Sequence, residues 1–480
     1  MPSASRGTVL AVLATAQFTV MLATSIVNVA LPQIRDGVGL SDSATTWVVN
    51  AYGLAFGALL LVGGRAADLL GRRRVLLAGL GAFGVASATA ALATSPGVLI
   101  AARAVQGAGA AAVAPAALAL AVGLYPPGPA RGRALAVWGA VSGAGGAAGV
   151  VLGGLLTQTW GWPWIFRTVA IGSFGVLAAT AVCVPTAGRA ERARFDWAGT
   201  AASVLALTAL VWGLTTARSS GWTDTWVLAA FGAAAVLTVV FWRVERTSAS
   251  PLVPPRLFAA RDVTVGNLLT GLFGSVWIAL FFFLPLYQQQ VLGEDPLNTG
   301  LGQLPLAIAN MLGAALAPAL ARRTGGRATL VAALLTEAAG MLWLSRIGAD
   351  GTFLTDVLGP SVLVGLGLSV AFVQLTSLSV AGVDGSDAGL AGGLANTTRQ
   401  VGGAVGLAVL ATLAGSVTSR AGGHQPPLEA LTSGYRTAFA LGSAVLAGTA
   451  LLAALLVRRT PTADRPHHTP APEPAFPGRP

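Results

Sequence analysis

The stretch Gly64-Arg65-Ala66-Ala67-Asp68-Leu69-Leu70-Gly71-Arg72-Arg73-Arg74 is a polar island in the first third of an otherwise apolar, Gly/Ala-rich chain. It separates two hydrophobic runs, Thr45 to Val62 and Val75 to Thr94, and reads as a short hairpin between two helices. Gly64 and Gly71 lack a Cβ and permit a sharp turn with close helix approach. Three successive arginines cannot enter lipid cheaply, so they belong in the headgroup layer on the side that retains basic loops, the cytoplasmic side. Asp68 is placed to pair with Arg65 or Arg72, or to accept from a helix N-terminus.

The whole chain has the same character. Of its 480 residues 54% are hydrophobic and only 10% charged, and the mean hydropathy is +0.72, too apolar for a soluble globule of this size. A net charge of +11 would suit nucleic acid, but a nucleic-acid binder gathers basic residues on one polar face, and here arginines punctuate apolar helices. Cys183 is the single cysteine and can form no intramolecular disulfide. Windows of about 20 apolar residues give fourteen spans, beginning with Thr8 to Pro32, which is retained as the first span because no small-residue cleavage site follows it. Alternating the loops puts most arginines on one side, so both termini are expected in the cytoplasm of a multi-pass plasma-membrane protein.

The pattern G-R-x-x-D-x-x-G-R-R-R resembles the signature loop between helices two and three of the major facilitator superfamily. Around Leu320-Ala321-Arg322-Arg323-Thr324-Gly325-Gly326-Arg327 the chain carries a worn second copy. The resemblance implies an all-α membrane fold of two six-helix bundles plus two inserted helices, with boundaries at 1–185, 186–262 and 263–460, and a disordered cytoplasmic tail over 461–480. It also implies that Gly64, Arg65, Asp68, Gly71 and Arg72 act as a conformational latch; the plainer role is a topological anchor.

Inside the spans, Arg103, Gln106 and Gly107 share a helical face and resemble the superfamily's R-x-x-Q-G motif, whose arginine is implicated in proton coupling. Otherwise Arg103 snorkels from its position near Pro96. Gly139, Gly143, Gly146, Gly149 and Gly153 form a stripe that suits two helices in near contact, similar to the antiporter motif, with Val150 where a proline usually follows Gly149. Met21 to Pro32 resembles L-D-x-x-I-V-N-V-A-L-P of the fourteen-spanner drug:proton antiporters, with Ala23 at the aspartate position. Glu337, near the middle of the eleventh span, is the acid most able to replace that carboxylate; it is either a proton carrier or a buried structural acid. Further landmarks of the fourteen-spanner group resemble Leu284-Pro285-Leu286-Tyr287-Gln288-Gln289 and Asn396-Thr397-Thr398-Arg399-Gln400-Val401-Gly402-Gly403.

A chamber between the halves would be lined by spans one, four, nine and twelve, with Gln17, Asn28, Gln106, Tyr287, Gln288, Phe372 and Gln374 as substrate contacts, a surface suited to amphipathic organic molecules. The resemblance implies a monomer that exports hydrophobic drugs or an antibiotic or natural product against inward-moving protons. Uncoupled or differently coupled transport is the alternative that Ala23 raises. No HExxH, G-x-S-x-G or Walker loop points to an enzyme, and no metal or cofactor is expected.

Overall fold

The computed structural model describes residues 5–125, 129–185, 196–248, 251, 255–381, 383 and 388–458. The expected tail and the basic segment 186–195 lie outside them. The helices are α1 (Arg6–Val38), α2 (Asp42–Leu70), α3 (Arg72–Ala91), α4 (Pro96–Gly123), α5 (Pro129–Trp160), α6 (Pro163–Cys183), α7 (Trp197–Ser220) and α8 (Thr225–Thr247). After a 3₁₀ turn come α9 (Arg261–Gln290), α10 (Pro296–Gly302), α11 (Leu304–Thr324), α12 (Gly326–Leu344), α13 (Gly359–Ser379), α14 (Ala388–Ala421) and α15 (Pro427–Leu456). With α10 and α11 taken together, fourteen spans are long and apolar enough to cross a bilayer. The interruption at Gln303 has a local cause: Pro305 has no N–H to continue the ladder, and the Gln303 N–H bonds back to Gly300 O.

The opening stretch folds differently from the expected hairpin. Residues up to Leu70 continue α2 as helix, so Gly64 is helical and turns nothing; the whole reversal rests on Gly71, at φ +97 and ψ 124. Gly325 does the same between α11 and α12, at φ +82 and ψ 149. A side chain is strained in that region by about 1–3 kcal/mol. Gly71→Ala and Gly325→Ala should therefore each lower the melting temperature in detergent, and unchanged melting of both would overturn this account of the two turns.

The second copy of the motif is matched in three dimensions. In the first bundle α4 packs between α2 and α3, α1 against α5, and α3 against α6; in the second α13 packs between α11 and α12, α9 against α14, and α12 against α15. Glycines mark the same contacts in both. A Cβ on Gly107 would run into Tyr52 O and lie 3.1 Å from Phe56 N, and one on Gly365 would run into Leu306 O and lie 3.1 Å from Asn310 N. On Gly109 it would lie 2.9 Å from Gly79 O and Phe83 N, and on Gly367 2.6 Å from Ala333 O and Glu337 N. Constant chain offsets relate these pairs, the mark of an internal repeat.

The bundles meet along α2 with α14 and along α5 with α10. Gln289 Nε2 on α9 donates to Val29 O on α1 at 2.7 Å, and Leu297 N on α10 donates to Gln158 Oε1 on α5 at 3.1 Å. Both bonds lie at the arginine-poor ends of their helices and tie the bundles together on that side. The inserted helix α7 straddles the α2–α14 seam: Trp47 Nε1 donates to Thr215 Oγ1 at 3.0 Å, and Thr412 Oγ1 to Leu214 O at 3.0 Å. Its neighbour α8 turns Trp226, Leu228 and Val236 outward, as a lipid-facing helix does.

Candidate functional site

Arg103 does not snorkel. It is 1% exposed, and its guanidinium lies 4.4 Å from the centre of the Tyr52 ring. Nε donates to Val48 O at 2.9 Å and Nη1 to Gln106 Oε1. Gln106 Nε2 passes the chain to Ser87 Oγ at 2.8 Å, which ends on Phe83 O. On the other side Thr24 Oγ1 bonds Tyr52 OH at 3.1 Å. One polar chain thus ties α1, α2, α3 and α4 through the middle of the first bundle. Ala23, where the antiporter motif has aspartate, is buried beside Thr24, and no carboxylate among the described residues forms an ion pair with Arg103.

The offset that carries Gly107 and Gly109 onto Gly365 and Gly367 carries Arg103 onto Ser361, and the offset of their partners carries Phe83 onto Glu337. Ser361 is fully buried with its hydroxyl unpartnered. Glu337 is likewise fully buried, and neither carboxyl oxygen has a hydrogen-bond partner among the described residues. Each bundle therefore holds one ionisable group where the other holds a neutral one. No donor or counter-charge among the described residues meets that carboxyl group.

The arginines after Gly71 grip neighbouring helix ends. Arg72 Nη1 donates to Ala119 O on α4 at 3.4 Å and Arg73 Nη2 to Ala181 O in the last turn of α6 at 2.7 Å. Arg327, two residues after Gly325, donates to Ala454 O in the last turn of α15. Arg65 is exposed, and the side chain of Asp68 lies outside the described atoms. Gly64 contributes only helix, and a Cβ there would lie 3.6 Å from Pro115 Cβ.

The glycine stripe on α5 is shifted from its expected face. Gly149 and Gly153 do abut α1, where a Cβ would lie 2.7 Å from Leu22 O and 2.6 Å from Ile26 O. The third member is Gly145, 2.8 Å from Phe18 O, whereas Gly143 and Gly146 face open space. The repeat that faces α1 is i, i+4, i+8, and glycine is so frequent on α5 that composition offers two overlapping stripes. Gly139 lies within α5, but what surrounds it is outside the described atoms.

Of the expected substrate contacts, several are engaged inside one bundle. Gln106 serves Arg103. Tyr287 is buried, its hydroxyl donating to Gly348 O at 2.9 Å, with Asp356 Oδ2 at 3.2 Å. Gln288 is fully buried, accepting from Gln303 Nε2 at 2.6 Å and donating to Glu294 Oε2 at 3.0 Å. Burial pushes the Glu294 carboxyl above its ordinary range, the Gln288 bond draws it down and Asp295 pushes it up again. Gln374 Nε2 is 3.5 Å from Ala317 O. Gln17 and Asn28 are buried on α1, Gln17 with its carbonyl oxygen unpartnered.

Phe372 is 36% exposed, and its neighbours come from other helices. Its ring meets Trp277 edge-on, centroids 5.4 Å apart, and the Arg399 guanidinium lies 4.8 Å from the Trp277 centroid and 5.5 Å from that of Phe372. The rule that singled out Arg103, a guanidinium in mid-span, applies equally to Arg399.

The model of the Major Facilitator Superfamily matches residues 13–407. This chain belongs to the major facilitator superfamily. It is 40% identical over 440 residues to the cephamycin export protein CmcT of Amycolatopsis lactamdurans, covering 90% of this chain and 88% of that protein. It is 39% identical to the puromycin resistance protein pur8 of Streptomyces alboniger, over 95% and 92% of the two chains. The tetracenomycin C resistance and export protein of Streptomyces glaucescens is 34% identical over 83% and 74%. Among solved structures, an auto-inhibited POT family peptide transporter superposes with a TM-score of 0.70 over 97% of this chain and 98% of its own, at 15% identity, a likeness of fold alone. As a member of this superfamily the chain is a multi-pass membrane transporter of small molecules.

Proposed function

We propose that this transporter exports an antibiotic or similar hydrophobic compound across the plasma membrane, working as a monomer by proton-coupled alternating access, with both termini in the cytoplasm. The relatives named for antibiotic export or resistance support the substrate class, and the arginine-rich helix ends support the orientation. The observation that carries the mechanism is the pair of matched bundles bonded at their arginine-poor ends, a geometry that rocking can convert. Arg72 and Arg73 would latch α4 and α6 at the cytoplasmic end. Arg103 would couple α1 to α4, and Glu337 would take up and release the proton as water reaches it.

Everted membrane vesicles with an acidified lumen test this. Added substrate should release protons, an exporter-deficient strain should gain resistance to that compound, and Glu337→Gln, which keeps the shape of the neutral acid, should cut substrate-driven proton release by about tenfold or more. Normal coupling in Glu337→Gln would remove Glu337 from the scheme. A second reading has one observation in its favour: Ala23 leaves no carboxylate where the antiporter motif has aspartate. Uncoupled transport is then the outcome, and accumulation insensitive to a proton uncoupler would establish it.

A further inference from the structure

We propose that Arg399, set against the Trp277 and Phe372 rings, is an anion-recognition point in the substrate chamber, and that the preferred cargo is an amphipathic organic acid: an apolar, ring-bearing body with one carboxylate or sulfonate. The inference rests on reading the chain as an exporter and adds the substrate class. Arg399 comes from α14, Trp277 from α9 and Phe372 from α13. Helix α9 contacts α1 and α14 contacts α2, and Gln400, the neighbour of Arg399, abuts Gly57 of α2, which sets this group near the first bundle. All three side chains stay partly accessible.

The guanidinium is incompletely satisfied. Nη2 donates to Asn396 Oδ1 at 2.6 Å, whereas Nε is buried with no hydrogen-bond partner. No carboxylate among the described residues forms an ion pair with it. Arg103 makes an instructive contrast: it also stacks on a ring, yet its donors reach Val48 O and Gln106, and it is sealed from any visitor. The two rings lie together on one side of the guanidinium, which leaves its opposite side as the route of approach. A carboxylate arriving there meets a planar fork that suits its two oxygens. Its apolar body would lie against Trp277, Phe372 and Phe281, whose ring centroid is 6.5 Å from that of Trp277. A cationic cargo would place like charge beside a poorly hydrated guanidinium and be rejected.

Dansyl probes in lipid nanodiscs holding the full chain test this, read by energy transfer from tryptophan. Dansylglycine should bind about tenfold tighter than its neutral amide, the step expected of one charge-assisted bidentate contact, and dansylcadaverine should bind weakest. Arg399→Gln should bring acid and amide affinities together, with its melting in detergent showing that the variant is folded. Arg399→Lys should retain part of the preference. A wild-type chain that binds the amide as tightly as the acid, or binds neither, overturns the proposal, as does a preference that survives Arg399→Gln. Uptake by everted vesicles separates the two readings. Acid-selective binding without accumulation leaves the site standing and removes export, whereas accumulation of dansylcadaverine in preference to dansylglycine keeps export and removes the site.

Discussion

Arg103→Ala is expected to abolish substrate-driven proton release and to destabilise the chain by about 2–5 kcal/mol, because it removes a large buried side chain and strands its hydrogen-bond partners. Gln106 would lose the donor to its oxygen, the Tyr52 ring would lose its cation, and the path from Thr24 to Ser87 would be cut between α2 and α4. Lysine is no substitute, since a single ammonium has no second arm for both Val48 O and Gln106 Oε1. Arg103→Lys should therefore fold better than the alanine variant and transport poorly. Melting in detergent and proton release from everted vesicles, measured together, separate structure from coupling. A folded Arg103→Ala chain that still couples normally would reduce Arg103 to a packing element.

Gly107→Val should be severely damaging. The atoms facing Gly107 are Tyr52 O, Phe56 N and the Ala55 Cβ on α2, and neither backbone nor a Cβ can rotate away as a side-chain tip does. Overpacking costs about 1–3 kcal/mol even where side chains can yield, so a valine here should exceed that range and force α2 and α4 apart. Gly365→Val, its counterpart between α11 and α13, should behave alike. Gly146→Ala is the control: nothing lies within 4 Å of a Cβ there, and a helical Gly to Ala change favours the helix by about 0.5–1 kcal/mol. Yields and melting temperatures of the three variants decide the matter. Wild-type melting of Gly107→Val would mean that the two helices are not in the contact described.

Much of this molecule is legible in the order of its residues. Long apolar runs must become helices, because in lipid every backbone N–H and C=O has to be satisfied within its own segment, and this yields fourteen spans without reference to any neighbour. The cost of carrying arginine through lipid gathers the arginines at one set of helix ends, and the two motif copies ending at Gly71 and Gly325 announce the repeat. Other features depend on which face of each helix meets which partner. An all-round apolar helix such as α5 or α13 carries no stripe to say so, since lipid and protein interior are equally apolar solvents. Hence Gly145 rather than Gly143 touches α1, Gly64 stays helical, and Gln106, Tyr287 and Gln288 turn inward to bond within their bundles. The same ambiguity hid Arg399. Its codeless surroundings in the sequence become two aromatic rings only when α9, α13 and α14 close around it. Composition and spacing set what each helix is; the packing of small residues, which lets particular backbones touch, decided what each helix faces.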